Sequence, residues 1–286
     1  MKVARELFYL MTALDGKIPI SSTSRRESIH MLNQNDIHGE NDVVLLEPIL
    51  KSQDFNVVSL TNINATKQQI LNELLNIENK ASKGSIVYIH FSMHGQPFQD
   101  LDGDEEDGWD ESLVPVDANL EYIEGKYEGQ NHITDDELIS YTNRIRSKIG
   151  ETGCLYVTVD ACHAGGSYRG GSFLENDVRG TTRGFSMKSN IPYKAKIENK
   201  SLYNIKEIPN FSPVVFLEAC QNTQINTEIK KKDTYYGKLS YYVSSVLENR
   251  TIGTDISWVY EVKREMDNDQ YSFRRQNMVI ETTIKR

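Results

Sequence analysis

The residues best suited to chemistry sit where two apolar runs stop. Leu155-Tyr156-Val157-Thr158-Val159 is a β-branched and aromatic run that breaks into Asp160-Ala161-Cys162-His163-Ala164-Gly165-Gly166. Such a run suits a buried strand better than a helix. A thiol at the carboxyl end of a buried strand is fixed by the sheet, yet faces the crevice where open α/β sheets bind ligands. Free cysteine is also among the most buried residue types, so this stretch alone leaves nucleophile and core cysteine both open. A second run, Ile86-Val87-Tyr88-Ile89-His90-Phe91, ends in Ser92-Met93-His94-Gly95. If both strands are parallel in one sheet, His94 and Cys162 emerge on the same edge. A cysteine nucleophile needs such a base or cation, because the thiolate is the attacking form. Gly95 has no Cβ, so its N–H can approach a carbonyl closely. Asp160, two residues before Cys162, points the same way as the thiol in an extended chain. His90 lies further back in its strand and reads as a core histidine.

The order of motifs adds a resemblance. Ser92-Met93-His94-Gly95-Gln96 is followed by the acidic stretch from Asp100 to Ala118, then by Ile133-Thr134-Asp135-Asp136-Glu137-Leu138, then by Val159-Asp160-Ala161-Cys162-His163-Ala164-Gly165. This series resembles the caspase-like cysteine peptidases, most of all the metacaspase branch. Met93 and Ala164 replace the Gly and Ser usual there, and neither change removes a reacting atom. The resemblance implies an α/β fold: a caspase-like three-layer sandwich, with a mostly parallel six-stranded sheet and helices on both faces. It implies a cysteine endopeptidase with Cys162 as nucleophile and His94 as base. The N–H groups of Gly95 and Cys162 would form the oxyanion hole, and no third Asp or Asn is needed. Asp160, with Asp42 and Ser92, matches the specificity pocket that takes Arg or Lys before the cleaved bond. Two carboxylates there would favour a cationic side chain, so the expected partner is a protein or peptide substrate with a basic residue. No cofactor is expected for the chemistry. Calcium is expected as an activator, because Asp110, Asp135 and Asp136 match three acidic positions of the family's calcium site. Its fourth position falls near Arg169, which cannot ligate the ion. A catalytically idle scaffold of the same fold, and a peptidase of the same clan with another pocket preference, are the alternatives.

Composition bounds these readings. The chain has 286 residues, a hydrophobic content of 38% and a formal net charge of −9. It is long enough for a sizeable core, and its charge argues against a nucleic-acid partner. No apolar run approaches a membrane span, and no secretory signal is expected. Three cysteines argue against a disulfide framework and for a reducing, cytoplasmic setting. Eight carboxylates lie between Asp100 and Glu111. Read as an EF-hand, this tract carries Glu105 where the loop requires Gly, so a true EF-hand is not expected.

The elements that must position these residues alternate strand and helix, which implies a mostly parallel sheet. Strands are expected over 7–14, 55–60, 85–94, 155–159 and 213–219, with a last one over 277–282. Helices are expected over 41–50, over 64–81 with Ile70, Leu71, Leu74, Leu75 and Ile77 on one face, and from 134. Thr134 and Glu137 form a capping box there. Residues 235–249 and 255–266 read as two further amphipathic helices. The whole chain, 1–286, reads as one catalytic domain: a large part over 1–177 with His94 and Cys162, a linker over 178–210, and a small part over 211–286. From Val178 to Lys206 the linker holds seven basic residues and one acidic residue. A basic linker in a basic-specific protease supplies its own cleavage sites, with Arg183 and Lys188 as candidates.

Overall fold

The computed structural model describes residues 5–11 through their backbone, and residues 37–162, 178–181, 183–187, 203, 205–269 and 276–285. Its main sheet has six strands, β1 (Arg5–Met11), β2 (Asn56–Leu60), β3 (Ile86–Ser92), β7 (Cys154–Asp160), β8 (Val214–Glu218) and β11 (Val279–Thr282), in the order β11-β8-β7-β3-β1-β2. The first five are parallel, and β11 closes the edge antiparallel to β8. Strands β3, β7 and β8 are buried along their whole lengths, as expected of strands covered on both faces.

One face carries helices α1 (Gly39–Ser52), α4 (Lys238–Leu247) and α5 (Ser257–Asp267), which bring Val43, Leu46, Leu50, Leu239, Val243, Trp258 and Val262 onto Tyr88, Tyr156 and Val215. The other carries α2 (Lys67–Lys80) and α3 (Asp135–Ile149), whose Ile70, Leu74, Ile77, Leu138 and Ile145 cover Val87, Ile89, Val157 and Phe216. The three-layer sandwich is therefore as expected. Thr66 and Thr134 cap α2 and α3 by accepting the N–H groups of Gln69 and Glu137, and Gly150 ends α3 at φ 63°.

Two smaller sheets rim the carboxyl edge. Strands β4 (His94–Gln99), β5 (Trp109–Val114) and β6 (Ile133–Thr134) form one, and the hairpin of β9 (Glu228–Lys231) and β10 (Thr234–Gly237) forms the other. Neither was expected. Tyr235 and Tyr236, expected at the start of a helix, lie in β10 instead, paired with Lys230 and Ile229. Among the described residues no helix is long and apolar enough to cross a membrane.

Candidate active site

The register of the central sheet puts the two candidate reacting residues at one edge, beyond the ends of neighbouring strands. Ser92 is opposite Asp160 at the ends of β3 and β7, so His94 and Cys162 each lie two residues beyond a paired position. His94 is 7% exposed and Cys162 is 1% exposed. The N–H of Gly95 and the N–H of Cys162 both donate to one oxygen, the carbonyl of Arg179, at 3.3 and 2.8 Å. The two donors expected to hold a developing oxyanion thus converge on a carbonyl of the chain itself. The Cys162 thiol donates to the Gln224 carbonyl at 3.4 Å, which also accepts from Cys220 Sγ at 3.5 Å. Contact with Cys162, then burial, raises the Cys220 thiol well above its ordinary value.

The side chain of Arg179 fills a pocket made of the three residues expected to bind substrate. Its Nη1 lies 2.9 Å from Asp42 Oδ2 and 3.9 Å from Asp160 Oδ2, and donates to Ser92 Oγ. Ser92 Oγ in turn donates to Asp42 at 2.7 Å. Asp160 is held by Asn226 Nδ2 on one oxygen, and by the N–H and Oγ of Ser240 on the other. A third carboxylate completes the pocket: Glu228 Oε1 accepts from Arg179 Nη2 at 2.7 Å, while Oε2 lies 2.7 Å from His38 Nδ1. The sequence reading missed Glu228, since nothing local marks the start of a short polar strand as a pocket wall.

Arg179, Asp42, Asp160 and Glu228 are buried, so their charges must be balanced within the pocket. Burial pushes the Asp42 carboxyl up to about 6, although Arg179 pulls it down. Burial also acts against the Arg179 charge, but Asp42, Asp160 and Glu228 outweigh it and hold the guanidinium charged. Burial raises Glu228 too, but Arg179 and His38 more than offset this, and its carboxyl sits below the ordinary range. Gly237 leaves the room: a Cβ there would lie 2.1 Å from Asp160 Oδ2 and 2.6 Å from Arg179 Nη1.

The chain around Arg179 lies in the site as an extended peptide. On its amino side, Arg179 N–H donates to Asn226 O at 3.1 Å, and Val178 bridges Thr227 antiparallel. On its carboxyl side, Gly180 bridges Gly95 and Cys162, and Thr181 N–H donates to Gly95 O at 3.2 Å. A Cβ on Gly180 would fall 2.1 Å from Cys162 O. Of the two expected cleavage candidates, Arg183 lies on the surface with its guanidinium 3.5 Å from Glu121, away from the acidic pocket. Arg179, and not Arg183, has its carbonyl under both donors. Lys188 lies outside the described residues.

The three expected calcium ligands are not one set. Asp110 groups with Asp100 and Asp104, Asp136 with Asp102 and Asp104, and Asp135 with Glu105 and Glu111. Burial first, then the charges of Asp100, Asp136, Asp102 and Asp104, push the Asp110 carboxyl up to about 7. Arg169 lies outside the described residues. Cys154 is core, its thiol pushed up to about 12 by burial.

Residues 29–168 match the family model described as metacaspase, peptidase C14 domain. Metacaspase-1 of Schizosaccharomyces pombe is 27% identical over 261 residues, covering 77% of this chain and 58% of the relative. Metacaspase-1B of Neurospora crassa is 37% identical over 101 residues, 35% of this chain and 21% of that one. The chain thus spans less than two thirds of these relatives. The solved structure of protein GSU0716 from Geobacter sulfurreducens shares the fold, with a TM-score of 0.59 at 17% identity, covering 98% of this chain and 93% of that one. The matched segment runs through both His94 and Cys162, and over it the chain is similar to the metacaspases, the peptidase C14 domain of the caspase-like proteins.

Proposed function

We propose that the chain is a cysteine endopeptidase that cuts after arginine or lysine and processes itself between Arg179 and Gly180. One observation carries this reading: Arg179 lies in the acidic pocket with its carbonyl oxygen under the N–H groups of Gly95 and Cys162. That is the pose of a substrate residue just before a cleaved bond. Three carboxylates around one guanidinium favour a cationic side chain and disfavour an acidic one.

In the reaction, the Cys162 thiol gives up its bond to Gln224 O and loses its proton to His94. The thiolate attacks the carbonyl carbon, and the displaced electron pair moves onto oxygen, where the two N–H groups hold it. Each such donor contributes about 10²–10³ in rate. Collapse breaks the C–N bond, the leaving amine takes the proton from His94, and a thioester remains on Cys162. Water then attacks the thioester, passing a proton to His94, and the carboxylate product and the thiolate separate.

Calcium fits the acidic cluster as an activator rather than a reactant. Asp110 Oδ1 is buried with no hydrogen-bond partner among the described residues, and oxygen ligands crowded at one point suit a hard cation. Asp100, Asp104 and Asp110 would hold it, with Asp102 and Asp136 beside them, and it would tie down the loop between β4 and β5.

Short fluorogenic peptides ending in Arg, Lys, Asp or Asn, with Ca²⁺ or with excess chelator, test the activity. Arg and Lys peptides should be cut at least about a hundredfold faster than the others. A preference for Asp or Asn would overturn the pocket assignment, and chelator without effect would remove calcium. No hydrolysis of any peptide favours the idle scaffold, for which the filled pocket is the supporting feature. Self-processing is read by incubating Cys162→Ala beside the parent: a fragment beginning at Gly180 should form only in the parent, and its appearance in both would sink self-cleavage.

A further inference from the structure

The segment beyond Arg179 does more than pass out of the site. It runs along the free edge of β4, where Gly180, Thr181, Arg183 and Phe185 are met by backbone and side-chain contacts. Phe185 N–H donates to Pro97 O at 2.7 Å, and Phe185 O accepts from Gln99 N–H at 2.9 Å. Bridges at Gly95–Gly180 and Phe98–Phe185 leave two more residues on the segment than on β4, so it bulges between them. Gln96 Nε2 donates to Arg183 O across that bulge at 3.0 Å.

Phe185 ends the run in an aromatic box and is 3% exposed. It stacks on Phe98 at 5.1 Å and 8°, meets Tyr127 edge-on at 5.7 Å, and lies 4.7 Å from His132 and 6.0 Å from Tyr122. The box is braced from behind. Gln96 Nε2 gives its hydrogens to the carbonyls of Leu120 and Arg183, so Gln96 Oε1 accepts from His132 Nε2 at 2.9 Å. His132 Nδ1 then accepts from the Tyr127 hydroxyl at 3.0 Å. Two positions on the segment admit glycine alone. A Cβ at Gly180 would overlap Cys162 O, and one at Gly184 would lie 2.2 Å from the Trp109 ring.

We propose that this groove is a substrate-recognition site on the leaving-group side: it takes a protein strand that continues Gly-x-x-x-Gly-aromatic after the cut, seating the sixth residue's ring between Phe98, Tyr127 and His132. The inference rests on the proposed reading of Arg179 as the residue before the cut. The chain's own segment is the first occupant, and protein substrates of the same pattern are the later ones. A peptide that stops soon after the basic residue forgoes this site, and its turnover understates the enzyme.

The test uses the full chain carrying Arg179→Ala and Phe185→Ala, which empties pocket and box while leaving their walls unchanged. Quenched-fluorescence peptides Asp-Val-Arg-Gly-Thr-Thr-Gln-Gly-Phe and the same with Ala last differ only in the ring, and Gln replaces the second Arg so that one bond can be cut. The Phe peptide should show kcat/KM about ten- to a hundredfold higher, the worth of burying one aromatic side chain. It should also bind more tightly by the same factor in fluorescence anisotropy. Equal hydrolysis and equal binding would overturn the subsite and leave the peptidase standing. Tighter binding of the Phe peptide with neither one cut would keep the subsite and remove the peptidase. Should the doubly substituted chain fail to fold, the single-turnover self-cleavage of the parent decides: Phe185→Ala should slow it about tenfold or more, Phe185→Tyr should restore it, and equal rates in all three overturn the proposal.

Discussion

At the scale of single residues, one missing side chain matters as much as the charged ones. The acidic pocket admits a guanidinium only because Gly237 contributes no Cβ. Its backbone, at φ −60° and ψ 136°, is one that alanine adopts without strain. Gly237→Ala should therefore fold, yet its methyl would meet Asp160 Oδ2 and displace the guanidinium. Self-cleavage after Arg179 should fall by about a hundredfold or more, as when a site loses a hydrogen-bonded charge it is built for, and the thermal midpoint should fall with it, because buried carboxylates lose their cation. Gel time courses beside calorimetry read both, and an unchanged cleavage rate would show that the pocket does not take the residue before the cut. The pocket's first two carboxylates were legible in the sequence because each sits beside a motif, Asp160 two residues before Cys162 and Asp42 at the start of a helix. Glu228 was not, since its role comes from a hairpin that swings across from the far end of the chain.

At the scale of elements, buried histidines tie the strands to pH. His90 on β3 sits between the Tyr88 hydroxyl and Ser240 Oγ, and burial lowers it to about 4. His132, just before β6, is lowered to about 3, by burial first and then by Lys67. Unfolded histidine takes up its proton near pH 6.5, whereas these two stay neutral in the folded chain to much lower pH. Stability from each is whole above pH 6.5 and is lost as pH falls toward the folded value, about 2 kcal/mol per group by pH 5. Urea titrations from pH 7.5 to 5 should show a steeper loss for the parent than for His132→Gln, which has no proton to take up. Parallel slopes would mean that His132 does not stay neutral. The elements themselves divide by how local their signals are. Helix α3 could be read from Thr134 and Glu137, α2 from an apolar face at helical spacing, and β3, β7 and β8 from unbroken apolar runs. Strands β4, β5, β9 and β10 are short and polar, with Pro97 inside one and Lys-rich sequence in another. Their pairing comes from what surrounds them, and period-two alternation is absent. Tyr235 and Tyr236 continue a helical pattern on paper, but the helix begins only after Gly237.

At the scale of the whole molecule, the proposed cut falls in a connection and not in the core. Residues 1–179 supply β1, β2, β3 and β7, and residues 180–286 supply β8 and β11 to the same sheet. Leu155 to Val159 of β7 pair in register with Val214 to Glu218 of β8, both strands buried throughout. Above them, Leu46 and Leu50 of α1 share a cluster with Val243 and Leu247 of α4 and with Trp258 and Val259 of α5. Pulling the parts asunder would expose these side chains at about 1.5–3 kcal/mol each and would leave β7 and β8 with unpaired edges. One broken peptide bond in the linker removes none of those contacts. The two fragments should therefore separate on a denaturing gel yet co-elute in size exclusion at the position of the intact chain. Native mass spectrometry should give one species heavier than the intact chain by the single water that hydrolysis adds. Fragments that elute apart under native conditions would show that the linker, and not the shared sheet, holds the halves together.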